Sequence, residues 1–166
     1  MAVTGITSKP EVVRYGGARE ERYAYVDGEA FEMGDLVRLS TGGEIKLAET
    51  ASAGAVHGIA LAAVPTEVNE TVPVLMLAND TVLAIQCVDT VAPEDLSKGQ
   101  AYTLEYSAGA QGITSTDTNG ILIVDDYAAT GNPWSDTTGT YDQDITVDNN
   151  KVLVSIAQAT LDGHVA

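Results

Sequence analysis

Few residues of this chain have the type and spacing to act on a substrate. There are two histidines, His57 and His164, and one cysteine, Cys87. A Ser-His-Asp relay needs its serine on a turn such as Gly-x-Ser-x-Gly, and no serine here stands in one. His57 lies in a small-residue apolar stretch and reads as a satisfied core or interface histidine. His164 is the third residue from the end. Cys87 closes the run Val82-Leu83-Ala84-Ile85-Gln86-Cys87, where a small buried hydrophobe fits, and no histidine near it in sequence would activate it. A lone cysteine excludes an internal disulfide, and one cysteine with two distant histidines cannot supply a zinc site. Asp142, Asp144 and Asp148 offer oxygens of the kind Ca²⁺ takes. They lack the glycine and the bidentate glutamate of an EF-hand loop and read as a solvated acidic loop. Gly16-Gly17 and Gly42-Gly43 lack the Gly-Lys-Ser/Thr ending of a phosphate-cradling loop. Carboxylate pairs are unavoidable among 24 acids, so they discriminate nothing. No catalytic, cofactor-binding or metal-binding residue is expected, and the chain reads as a non-enzyme.

The charge narrows the partners. With 24 acids against 8 bases the formal charge is −16, which disfavours nucleic acid and anionic membranes. Residues 1–25 hold four bases (Lys9, Arg14, Arg19, Arg22) against three acids (Glu11, Glu20, Glu21), net +1, which leaves four bases against 21 acids, net −17, for the rest. No apolar run reaches the roughly 18 residues of a membrane helix. Residues 1–5 show no charged flank and no apolar h-region, so no secretory signal is expected and synthesis in a cytosol is.

The elements that would position these residues are strands. At 166 residues a single domain with a substantial core is expected. Val37 and Leu39 alternate around Arg38, and Ile45 and Leu47 around Lys46, the period of two of half-buried strands. Val72 to Val88 reads as a hairpin turning at Asn79-Asp80, apolar on both faces and so central or covered twice. Pro73 should stand at a strand start or an edge. Val74, Leu75, Ile85, Val152 and Val154 are expected in the core. Residues 92–99 give the one helical signal, a proline at the first position and acids in the first turn.

A unit recurs. Gly34-Asp35-Leu36-Val37-Arg38-Leu39, a glycine turn and Gly58-Ile59-Ala60 are echoed by Gly99-Gln100-Ala101-Tyr102-Thr103-Leu104, a glycine turn and Gly120-Ile121-Leu122. Two copies this far apart mark a duplicated β-module. The expected fold is mainly β, a compact β-barrel or β-sandwich with this duplicated strand-turn unit, one short helix and an extended N-terminal arm. Residues 1–21 form the arm, with little structure of its own. Residues 22–166 form one β-rich domain with an irregular loop at 129–150. Val12, Val13, Arg14, Tyr15, Arg19 and Arg22 are the candidate partner contacts of the arm. Trp134, in Asn132-Pro133-Trp134, reads as a loop anchor or a further contact rather than a sugar platform.

Phe31-Glu32-Met33-Gly34-Asp35-Leu36-Val37, then Ala55-Val56-His57-Gly58-Ile59-Ala60, then Leu96-Ser97-Lys98-Gly99-Gln100-Ala101-Tyr102 resembles the head-decoration, or cement, proteins of tailed bacteriophages. The resemblance covers roughly residues 30–125. It implies a structural virion protein on the outer capsid surface that bridges major capsid subunits, often as a homotrimer. The other classes are a surface carbohydrate-binding β-module, or a small β-barrel enzyme with a concave polar pocket.

Overall fold

The computed structural model describes residues 6–49, 56–67, 69–88, 90–107, 109–118, 120–127 and 145–157. Among the described residues twelve strands follow one another: β1 Glu11–Arg14, β2 Arg19–Tyr23, β3 Leu36–Leu39, β4 Ile45–Leu47, β5 Gly58–Ala60, β6 Val72–Met76, β7 Val82–Gln86, β8 Ala101–Tyr102, β9 Leu104–Ser107, β10 Ala110–Ile113, β11 Leu122–Asp126 and β12 Lys151–Ile156. The helical signal yields only a 3-10 turn, Pro93–Asp95. Two five-stranded antiparallel sheets, ordered β2-β6-β5-β3-β4 and β1-β7-β12-β11-β8, pack together beside the two-stranded β9-β10. The sheets are not closed into a barrel.

The recurring unit is larger than the motif that announced it. β5 pairs with β3 through Leu36↔Ile59 and Val37↔Gly58, and β11 pairs with β8 through Ala101↔Ile123 and Tyr102↔Leu122. Gly34 N–H donates to Ala60 O at 2.8 Å and Ala60 N–H to Asp35 O at 2.9 Å. In the second copy Gly99 N–H donates to Val124 O at 2.8 Å and Val124 N–H to Gln100 O at 3.1 Å. Both opening glycines take the left-handed conformation, φ 93° and 83°, that other residues adopt at a cost. β6 lies on β5 through Ala60↔Val74 as β12 lies on β11 through Val124↔Val154. β2 then lies on β6 through Glu21↔Val74 and Tyr23↔Val72, as β7 lies on β12 through Leu83↔Val154 and Ile85↔Val152. A parallel bridge ends each circuit, Tyr25↔Ile45 in one and Cys87↔Ile113 in the other. The first unit is therefore β2 to β6 and the second β7 to β12. In this frame Gly58 corresponds to Leu122, so its sequence echo at Gly120 lies two residues off the structural match.

The interiors correspond as well. Phe31, Val37, Leu39, Ile45, Ala60, Val72 and Val74 form one buried cluster. Their counterparts Leu96, Tyr102, Leu104, Ile113, Val124, Val152 and Val154 lie in the other. The opposite face of the first sheet adds Leu36, Ile59 and Leu77 to that second cluster, which joins the two units.

Three expectations need correction. The Val72 to Val88 hairpin does not exist: β6 and β7 do not pair, and the chain turns at Asn79-Asp80 from one sheet into the other. Both strands are interior, each with an antiparallel partner on either side, and β7 is buried at every residue. The N-terminal segment is likewise not an arm without structure, because β1 pairs with β7 and β2 with β6. A boundary at residue 21 would cut through β2. Pro73 sits second in an interior strand; its carbonyl accepts from Leu61 N–H at 3.0 Å just past the end of β5, where a missing donor disturbs the ladder least.

Ile85 is 1% exposed, whereas Leu75, expected in the core, is half-buried. Ile85→Ala should therefore lower unfolding free energy by about 2–5 kcal/mol and Leu75→Ala by about 1 kcal/mol, measured by urea denaturation.

Candidate interaction surface

The described part of the N-terminal segment is bound to the body at several points between residues 7 and 23. Gln86 Oε1 accepts from Thr7 N–H at 2.8 Å and Ser8 N–H at 2.9 Å, while its Nε2 donates to Asn149 O at 3.0 Å. Lys9 Nζ pairs with the buried Asp35 at 2.5 Å and with Glu32 at 3.5 Å. Burial opposes the Lys9 charge, but the two carboxylates outweigh it and hold its pKa above the usual 10.5. Further along, the turn between β1 and β2 stacks on the turn between β6 and β7. Gly17 N–H donates to Asp80 Oδ1 at 2.9 Å, Thr81 Oγ1 donates to Tyr15 O at 2.8 Å, and Arg14 Nε donates to Asp80 O at 3.2 Å.

This placement separates the candidate contacts. Val12 turns inward and packs against the core. Val13 and Tyr15 stand outward, 42% and 61% exposed. A bulge between Val12 and Arg14 breaks the alternation of β1. Arg19 and Arg22 belong to the other sheet and engage their own chain, Arg19 with Glu21 at 2.7 Å and Arg22 with the Thr71 hydroxyl at 2.9 Å. Val13, Arg14 and Tyr15 thus form one exposed group, whereas Arg19 and Arg22, three apart in an unbroken strand, point to opposite faces of the other sheet. Trp134, His164, Asp142 and Asp144 lie outside the described residues.

The interior polar groups hold backbone. Gln111 Oε1 accepts from Leu36 N–H at 2.7 Å, and its Nε2 donates to Leu36 O at 2.9 Å and Ala48 O at 2.8 Å. One side chain of the second unit thereby satisfies three backbone groups of the first. His57, buried, accepts the Leu39 N–H at Nδ1, 3.1 Å away. Cys87 is buried and its thiol pKa is pushed up to about 12 by burial, with Asp95 and Asp148 adding to the effect, so it is a poor nucleophile. Among the described residues no group of three or more His, Cys, Asp or Glu is placed to hold a metal ion, and no helix is long and apolar enough to cross a membrane. The sequence reading passed over Gln86, Gln111 and the Lys9–Asp35 pair. The signal for the glutamines was there: each is the lone amide in an otherwise apolar strand.

Two measurements test this account. Gln111→Leu keeps the volume but strands Leu36 N–H and Ala48 O, and should cost about 2–4 kcal/mol of stability in urea denaturation. Cys87 and Tyr23 both have folded-state pKa values raised to about 12, the first by burial and the second by burial and its bond to Glu21, from ordinary values of 9.0 and 10.0. The folded state therefore holds these protons more tightly. Their contribution is fully present below pH 9 and is lost as pH rises toward 12, so the urea midpoint should fall across that window and the native thiol should resist alkylation at pH 8.

Comparison with protein-family models, with curated proteins and with solved structures finds no match to this chain.

Proposed function

We propose that the chain is a structural protein of a tailed-bacteriophage particle, made in the host cytoplasm, that binds the outer capsid surface and bridges major capsid subunits. The observation that carries this reading is how the polar and apolar groups are distributed. Gln86, Gln111, Asp35, His57 and Thr81, all buried, each bond to backbone, Asp35 pairing with Lys9 as well. Exposed Val13 and Tyr15 meanwhile stand on and directly after β1, which ends its sheet. An edge strand with outward apolar side chains gains affinity by lying against a partner's extended chain. Repetition over a symmetric shell multiplies weak contacts, and a ligand specific to the intact lattice stabilises it by mass action. Assembly of the protein as a trimer belongs to the same proposal.

The test uses capsids assembled from the major capsid protein of the phage to which this reading assigns the chain. Removing residues 2–20 would take out β1 and part of β2, so the informative variant is Val13→Asp with Tyr15→Asp, both at exposed positions. It should remain folded and lose at least about tenfold in co-sedimentation affinity, about 1.4 kcal/mol. Unchanged binding of the variant, or decorated particles that release DNA at the same temperature as bare ones, would overturn the reading.

A further inference from the structure

Matching the two units strand by strand leaves one strand without a counterpart. β1 lies antiparallel on β7, with Glu11↔Ala84, Val12↔Leu83 and Arg14↔Val82. The equivalent positions of the first unit are residues 20–22 of β2, since Glu21 faces Val74 as Leu83 faces Val154. β2 has β6 on one side, and its sheet ends there. Two residues beyond β2 the frame is common again, with the Tyr25↔Ile45 bridge standing where Cys87↔Ile113 stands. Among the described residues the first unit thus repeats every neighbour of the second except the strand beside residues 20–22. We propose that this edge of β2 is a docking slot for an extended segment of a partner protein, running antiparallel to β2 and carrying an acidic residue, two small apolar residues and a basic residue in that order.

The chemistry of the occupant follows from the register. A strand placed on β2 as β1 is placed on β7 sets the residue equivalent to Glu11 opposite Arg22 and the one equivalent to Arg14 opposite Glu20. Opposite charges facing each other across an antiparallel pair stabilise it, and like charges destabilise it. Glu20 is exposed and makes no ion pair among the described residues, so its carboxylate is available to an incoming base. A second copy of β2 in full antiparallel overlap also sets Glu20 against Arg22, but it sets Glu21 against Glu21 at the centre of the pair, where the proposed segment places an apolar residue. The chain's own β1 is held on β7 by the corner at Asp80 and by the strap on Gln86. The charges also explain how an open edge avoids indiscriminate pairing: short, charged edge strands reject most partners. The slot does not depend on the capsid reading, since it concerns the isolated chain.

The test is a titration of the isotope-labelled full chain, followed by amide chemical shifts. The probe is the synthetic peptide acetyl-Pro-Glu-Val-Val-Arg-Tyr-amide, and the control exchanges its Glu and Arg. Saturable shifts at residues 19–23 are expected with the first peptide, with roughly fivefold weaker binding of the control and loss of that preference in Glu20→Lys. Three outcomes overturn the proposal: no saturable shifts up to about 1 mM peptide, equal binding of both peptides, or shifts confined to residues 82–84, which would mean that the peptide only displaces β1.

Discussion

The contact on which the rest depends is the stacking of two turns, one through Gly16 and Gly17 and the other through Ala78 to Asp80. At Gly16 an added Cβ would lie 2.4 Å from Asp80 Oδ1 and 2.8 Å from its carbonyl oxygen, and φ there is +55°. Only glycine fits both the conformation and the space. Here the chain passes twice between the two sheets, first from β1 into β2 and then from β6 into β7. The two passages lie side by side, so each bent strand pairs with the other on both sides of the corner. Without this corner β1 would not reach β7 while β2 lies on β6, and the two units would meet only through side chains.

Given that corner, the remaining architecture is one hydrogen-bond frame built twice from different side chains. The frame tolerates Phe31 or Leu96, and Ala60 or Val124, at matched interior sites because the neighbours at each site make up the volume. It does not tolerate a change in the opening glycine, because Gly34 and Gly99 both hold φ near +90°. The units are also joined by polar means. Gln111 supplies the first unit with a donor and an acceptor that its own sheet does not provide, so folding of one unit completes the other.

The repeat was partly legible in the sequence, and the reason it was only partly so is physical. Where both copies bury the same positions, at residues 34–39 and 99–104, glycine spacing and alternation survived and could be read. Where burial differs, the likeness vanished. β2 reads Arg-Glu-Glu-Arg-Tyr at an open sheet end, while β7 reads Val-Leu-Ala-Ile-Gln with a strand on each side. Their equivalence rests on backbone pairing alone, to which hydrophobic pattern is blind. The same blindness produced the false hairpin: two apolar strands around Asn79-Asp80 look alike whether the turn folds them together or sends them into different sheets. Of the surface residues, Val13 and Tyr15 could be picked out as apolar side chains in a polar stretch. The inward turn of Val12 could not, because a bulge decides it.

β1 comes first in the chain but completes the unit that is made last. Strands β2 to β6 find all their partners before residue 77 is synthesised, whereas β1 waits for residues 82–84. A ribosome would therefore expose a first unit with its strands paired but still without Gln111, beside an unpaired valine-bearing strand that docks only when β7 emerges. Closing that pairing spans about seventy residues of chain, a long-range contact of the kind that slows folding. The order of synthesis thus gives this protein an interval in which its N-terminal strand is open to capture by another chain.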